Sequence, residues 1–240
     1  MTDRIPKLPD RAALLLDLDG TLLDIAATPD DVAVPPTLPS ALRVLRARLD
    51  DALAVVTGRP VEQVEALLPD IAYAIAGEHG GAIRFAPGAP LTRADLPELP
   101  DGWVVQAAAA VSGYPGTMLE RKARGFALHY RLAPAAGAAL GQALRAMLGD
   151  QTTHRILPAH MAWEVKPLGA DKGTAVAALM NRAPFAGRVP IYVGDDVTDE
   201  DGMRVARAAG GLGLRVQDVF GTAAGVRAWL QRLAADAGAP

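Results

Sequence analysis

The stretch ALLLDLDGTLLDIA, residues 13–26, decides how this chain is read. An aliphatic run of the kind that fills a buried strand ends on two carboxylates, Asp17 and Asp19, followed at once by Gly20 and Thr21. A carboxylate at the edge of an apolar core is costly unless a cation or hydrogen-bond donors meet it. The rest of the sequence has to supply that partner.

Working outward, residues 12–16 and 52–56 are short, continuous apolar runs, the pattern of parallel strands buried on both faces. Between them Pro35-Pro36-Thr37 opens a helix whose Leu38, Leu42, Leu45 and Leu49 share one face. Pro60 starts a second helix, with Val61, Val64, Leu67 and Leu68 turned inward, and residues 73–76 form a third strand. The rhythm then breaks. From Ile83 to Trp163 the chain is rich in Pro and Gly, with a hairpin in MLERKARGFALHYR turning at Lys122-Ala123-Arg124-Gly125 and an alanine-rich helix over residues 134–148. The parallel pattern returns with a helix led by Asp171-Lys172-Gly173, a buried strand in VPIYV (189–193), a helix beginning at Asp199 and a last helix over residues 222–235. This predicts an α/β fold: a Rossmann-like parallel-sheet core built from residues 1–82 and 165–240, with a smaller α/β cap domain inserted at 83–164.

Composition narrows the function. The 240 residues carry 24 Lys and Arg against 27 Asp and Glu, half are hydrophobic, and only 5% are aromatic. That is the balance of a globular protein without the basic footprint of a nucleic-acid binder. There is no cysteine, so disulfides and thiolate metal sites are excluded. The charged, proline-containing start MTDRIPKLPDR does not have the form of a signal peptide, and no apolar run approaches the ~20 residues that span a bilayer. A cytoplasmic protein with no membrane partner is expected.

In open parallel sheets ligands sit beyond the C-terminal strand ends. Here those ends carry Asp17-Leu18-Asp19-Gly20-Thr21, Thr57-Gly58-Arg59, Gly77-Glu78-His79-Gly80, and Gly194-Asp195-Asp196-Val197-Thr198-Asp199-Glu200-Asp201. If Asp17 and Asp195 project from neighbouring strands, two charges ~4 Å apart at an effective dielectric of about 20 repel by ~4 kcal/mol. A divalent cation relieves that repulsion. With only oxygen ligands on offer the expected ion is Mg²⁺, and a metal among acids implies an anionic substrate, here expected to be a phosphate. Lys172, beside a glycine at a helix start, would offset the phosphate charge. Thr57 could donate to a phosphoryl oxygen, Asp17 would attack phosphorus, and Asp19 could serve as acid and then base. Taken singly, Asp-Gly turns, a lysine at a helix start and an acidic helix N-terminus are commonplace. Their succession at consecutive strand ends argues for chemistry.

DLDGTL, Thr57, Lys172 and GDDVTDED resemble the four motifs of the haloacid dehalogenase superfamily of phosphotransferases. Within it, VVTGRP, GEHGG, LERK with FALHYR, EVKPLGADKG and GDDVTDED are similar, in order, to the blocks of the trehalose-phosphatase family. The resemblance implies Asp17 as nucleophile and Asp19 as acid/base. It implies Mg²⁺ held by the Asp17 side chain, the Asp19 backbone carbonyl and Asp195, with Asp196 and Asp199 as supporting acids. It places Gly58, Arg59, Glu120, Lys122, Arg131 and Glu164 on the substrate, the last four reading sugar hydroxyls from the cap. Otherwise Glu120 and Lys122 would make an ordinary ion pair on a solvated hairpin. His79 and His129 are expected to be hydrogen-bonding residues and Trp163 to pack. The family more usually has serine at Thr57 and arginine near Lys166, swaps that keep the hydroxyl and the cation. The implied activity is hydrolysis of trehalose 6-phosphate, with functional coupling to trehalose-6-phosphate synthase. The competing readings are a phosphatase or phosphomutase of another sugar phosphate, and a non-catalytic sugar-phosphate sensor.

Overall fold

The computed structural model describes residues 7–26, 28, 31–150 and 153–236. The chain forms two compact units, one made of the residues up to Ala94 together with those from Asp171 onward, the other of Asp95–Ala170.

In the first unit the chain runs through β1 (Ala12–Leu16), α1 (Leu38–Arg48), β2 (Leu53–Val56), α2 (Val61–Leu67), β3 (Ala74–Gly77), β4 (Ala82–Arg84) and β5 (Thr92–Arg93). The second unit holds α3 (Trp103–Ser112), β6 (Met118–Arg121), β7 (Phe126–His129), α4 (Gly137–Leu148), β8 (His154–Ala159) and β9 (Ala162–Pro167). The chain then re-enters the first unit with α5 (Lys172–Met180), β10 (Val189–Gly194), α6 (Asp199–Ala208), β11 (Leu212–Arg215), α7 (Val216–Val219) and α8 (Ala223–Asp236).

The first unit is a seven-stranded sheet in the order β11-β10-β1-β2-β3-β4-β5. Strands β11 through β3 run parallel, and β4 and β5 turn back antiparallel at one edge. All five residues of β1 are fully buried, as a central strand covered on both faces requires. Each such leucine contributes about 1.5–3 kcal/mol by leaving water. Because later strand β10 and earlier strand β2 flank β1, the direction of strand addition reverses there, and this reversal opens a crevice at the strand ends. Register then sets the site: Leu16 lies opposite Val193 on one side and Val55 on the other. Asp17, Asp195 and Thr57 therefore leave the same sheet edge within a residue or two of one another.

The second unit is a four-stranded antiparallel sheet, β6-β7-β9-β8. Phe126, Leu128 and Val165 pack on α3 and α4 through Trp103, Ala107, Leu140 and Leu144. By strand alternation Glu120, Ala127, His129 and Glu164 belong to the opposite face.

The inserted unit starts and ends later than the 83 and 164 read from sequence. Residues 82–93 form β4 and β5, which hydrogen-bond to the core sheet, and β9 carries the inserted sheet on to Pro167. Strand β11, which the sequence reading did not find, extends the parallel sheet beyond β10.

Candidate active site

Asp17 continues the β1 ladder by donating its N–H to the Val193 carbonyl at 2.9 Å, which fixes its backbone against β10. Its side chain is 5% exposed. Lys172 Nζ donates to Asp17 Oδ1 and to Asp199 Oδ1, each at 2.7 Å, and Thr21 Oγ1 donates to Asp17 Oδ2 at 3.0 Å. The lysine is placed by the start of α5, where the Asp171 side chain accepts from Thr174 N–H and the Thr174 hydroxyl meets the Asp171 backbone in a capping box.

Asp199 opens α6 and is completely buried. Its Oδ1 accepts from Lys172 and from the Tyr192 hydroxyl at 2.6 Å. Its Oδ2 accepts from the backbone N–H groups of Asp195 and Asp196 at 3.1 and 3.0 Å. Four donors occupy the lone pairs of this carboxylate, so Asp199 acts as a bracket that folds the acidic loop and aims Lys172. Gly194 permits it, because a Cβ there would overlap the Asp199 carboxylate.

Asp195 completes the cluster. Oxygens of Asp17, Asp195 and Asp199 all lie within 4.8 Å of one another. Gly20, at φ +83°, is needed for that approach, since a Cβ would run into the Asp195 carboxylate. The electrostatics follow. Burial, then Asp199 and Asp195, hold the Asp17 carboxyl well above the usual carboxylate range, against the pull of Lys172. Burial and Asp199 push Asp195 up to about 6. For Lys172 the cost of burial is outweighed by Asp17 and Asp199, which raise its pKa and keep it charged. Burial and Asp199 likewise raise Tyr192.

Three acids facing one ammonium leave an excess of negative charge that a dication would balance. The donor set fits Mg²⁺: it is all oxygen, and its carboxylates lie close enough to repel one another unless a cation separates them. Because Asp199 is saturated, Asp17 and Asp195 are the side chains that would hold the metal. Asp196 turns away, its Oδ1 accepting from Val197 N–H at 2.6 Å.

Thr57 is 1% exposed at the end of β2, and its Oγ1 accepts from Arg59 N–H at 3.2 Å. The Gly58 Cα faces the His79 ring, whose backbone N–H donates to the Thr57 carbonyl at 2.9 Å. Arg59 grips Asp19 with both arms, Nε to Oδ2 at 2.7 Å and Nη2 to Oδ1 at 2.8 Å.

In the second unit Glu120, Ala127 and Glu164 form one cross-strand row. Lys122 Nζ meets Glu164 Oε1 at 2.5 Å with side chains 11% and 7% exposed, and His129 Nε2 meets Glu120 Oε2 at 2.8 Å. Lys122 thus pairs with Glu164, and that pair is buried rather than solvated. Burial pushes the Glu120 carboxyl up, but the His129 hydrogen bond and the Lys122 charge outweigh it, so its pKa lies below the ordinary value. Arg131 donates to the His160 carbonyl at 3.0 Å. Trp163 packs on the apolar cluster and donates to the Gly137 carbonyl at 2.7 Å.

Two contributors escaped the sequence reading. The sequence shows Thr21 only as part of the turn. It shows Tyr192 as strand filling, although a hydroxyl inside VPIYV signals a buried partner.

Comparison with known proteins now bears on this geometry. The family model described as trehalose-phosphatase matches residues 15–232. The trehalose-6-phosphate phosphatase of Escherichia coli K12 is 36% identical over 228 residues, covering 93% of this chain and 83% of the relative. A probable trehalose-phosphate phosphatase of Sinorhizobium fredii is 41% identical over 208 residues, covering 86% and 78%. Among solved structures, the C-terminal domain of a C. albicans trehalose-6-phosphate phosphatase superposes with a TM-score of 0.79 over 98% of this chain and 99% of that one. A haloacid dehalogenase-like hydrolase from Bacteroides thetaiotaomicron gives 0.62 over 92% and 98%. At 18% and 14% identity these two structures bear on the fold alone. With the family model matching most of its length and two relatives above one-third identity, the chain belongs to the trehalose-phosphatase family.

Proposed function

We propose that this phosphatase hydrolyses trehalose 6-phosphate to trehalose and phosphate through an aspartyl-phosphate on Asp17. The observation that carries the proposal is the buried Lys172 ammonium holding Asp17 at the sheet edge beside Asp195. Asp17 attacks phosphorus, the bond from phosphorus to the sugar oxygen breaks, and Asp19 gives its proton to the leaving alkoxide. Water then attacks the aspartyl-phosphate, Asp19 takes its proton, and the bond to Asp17 breaks to release phosphate. Lys172 orients Asp17 and offsets the phosphoryl charge, and the Thr57 hydroxyl donates to a phosphoryl oxygen. Mg²⁺ on Asp17, Asp195 and the Asp19 carbonyl would supply the remaining charge neutralisation.

Glu120, Lys122, Glu164 and Arg131 are proposed to bind the sugar, Gly58 to lie against the phosphoryl end, and the inserted unit to act as a cap that excludes water. Functional coupling with the synthase that makes the substrate belongs to the same reading. Neither the phosphomutase nor the sensor alternative is favoured by the comparisons, in which the relatives from Escherichia coli and Sinorhizobium fredii are named as phosphatases.

Phosphate release from trehalose 6-phosphate, sucrose 6-phosphate and mannose phosphates, with Mg²⁺ and with EDTA, tests the proposal. Preference for trehalose 6-phosphate, lost in EDTA and in Asp17→Asn, is expected. Activity surviving either treatment would remove the mechanism, and a preference for another sugar phosphate would remove the substrate assignment.

A further inference from the structure

Arg59 follows the Thr57 turn, and its guanidinium is committed to Asp19 by two parallel hydrogen bonds of 2.7 and 2.8 Å. A fork of this kind fixes the plane of a carboxylate as well as its distance, which a lysine cannot do. The backbone of Arg59 is itself pinned. Its N–H donates to Thr57 Oγ1, its carbonyl accepts from Glu78 N–H at 3.0 Å, and a Cβ at Gly77 would stand 2.7 Å from that carbonyl. Glu78 and His79 both sit at positive φ, +52° and +55°, conformations that cost non-glycine residues energy and persist where the surroundings demand them. The demand here is visible: these two residues carry the backbone N–H groups that hold the carbonyls of Arg59 and Thr57. By contrast the Asp19 side chain is 34% exposed, and a half-exposed aspartate on a turn has rotamer freedom that would blur any proton transfer.

From this geometry we infer that Arg59 is the positioning residue of Asp19, acting on the reaction through that carboxyl. The inference rests on the phosphatase reading with Asp19 as acid/base, and it replaces direct substrate contact as the role of Arg59. When Asp19 gives its proton to the leaving oxygen, a carboxylate is left behind, and the guanidinium fork stabilises that carboxylate in the orientation from which it later accepts a proton from water. Gln63 supports the arrangement weakly, its Oε1 3.5 Å from Arg59 Nη1.

The consequence is specific to the leaving group. A poor leaving group such as a sugar alkoxide needs the proton, whereas p-nitrophenolate departs with little help. In Arg59→Ala, kcat/KM, which reports transfer to Asp17, should fall about 100-fold for the sugar phosphate, the low end of general acid–base contributions. It should fall far less for p-nitrophenyl phosphate, with a graded loss across aryl phosphates of rising leaving-group pKa. Arg59→Lys should lie between wild type and Arg59→Ala, and it keeps the test open if the alanine variant fails to fold by circular dichroism. The decisive comparison is Arg59→Lys in an Asp19→Asn background, measured on p-nitrophenyl phosphate. If Arg59 acts only through Asp19, the second substitution adds less than a twofold loss. Equal losses on good and poor leaving groups, or additive losses in the double variant, would overturn the inference and return Arg59 to substrate binding. Failure of the wild-type protein to hydrolyse any of these esters would instead remove the phosphatase reading.

Discussion

Replacing Lys172 by methionine gives a quantitative test of the buried cluster. Lys172 is 3% exposed, and its ammonium contacts Asp17 and Asp199 at 2.7 Å each, while the Asp195 carboxyl lies within the same cluster. Methionine fills most of the volume, so the loss is electrostatic. Breaking one partner out of a buried ion pair costs about 3–5 kcal/mol, because the remaining charge is stranded. Here two carboxylates are stranded. Asp199 keeps three donors, from Tyr192 and two backbone N–H groups, whereas Asp17 keeps Thr21 as its side-chain donor. Asp17, already raised by burial and Asp199, therefore takes up a proton, which caps the penalty near the lower figure. At about 2–4 °C per kcal/mol for a chain of this size, ~3 kcal/mol corresponds to a fall in Tm of roughly 6–12 °C. The assay is urea unfolding of wild type and Lys172→Met without metal at pH 7.5 and pH 5. The deficit should shrink at the lower pH, where the raised Asp17 carboxyl neutralises more readily, and adding Asp199→Asn should recover part of it. A loss below about 1 kcal/mol at pH 7.5, or a deficit that grows on acidification, would refute the electrostatic account.

Two further outcomes follow from other features. Gly20→Ala combines a positive φ with a Cβ aimed into Asp195, so it should cost about 1–2 kcal/mol of stability and abolish Mg²⁺-dependent activity by displacing Asp195; an unaffected Mg²⁺ titration would contradict the close approach. In the second unit His154 is held below its ordinary pKa by burial, the Arg124 backbone only partly opposing, with Trp103 edge-on at 5.4 Å. The unfolded chain then binds a proton below about pH 6.5 that the folded chain does not, so stability contributed above that pH is lost on acidification, at no more than about 1.4 kcal/mol per pH unit. His154→Gln should flatten the dependence between pH 7.5 and 5.5, and an unchanged slope would count against it.

The catalytic edge was legible because its signals are local. The aliphatic run of β1 breaking into Asp17-Leu18-Asp19-Gly20, and the acids behind VPIYV, each sit in a few adjacent residues, and parallel strands buried on both faces are the easiest to recognise. What escaped depends on contacts distant in sequence. Arg59 and Asp19 are 40 residues apart, and nothing in VVTGRP shows which way the guanidinium turns. Tyr192 becomes part of the site only because α6 brings Asp199 beneath its hydroxyl. Strand β11 contains a glycine and one buried residue, and β8 carries Arg155 and Pro158, so neither shows a strand's period. Two- and three-residue β5 and β4 are too short for any periodicity, which is why the inserted unit was read as starting early.

The account turns on Asp17 becoming phosphorylated. Rapid acid quenching of the protein with trehalose 6-phosphate carrying ³²P, followed by denaturing separation, reads this directly. It should reveal protein-bound label released by hydroxylamine and mapped to the peptide containing Asp17, and no label in Asp17→Asn. Steady turnover with no trapped label at any quench time, or label retained in Asp17→Asn, would contradict it.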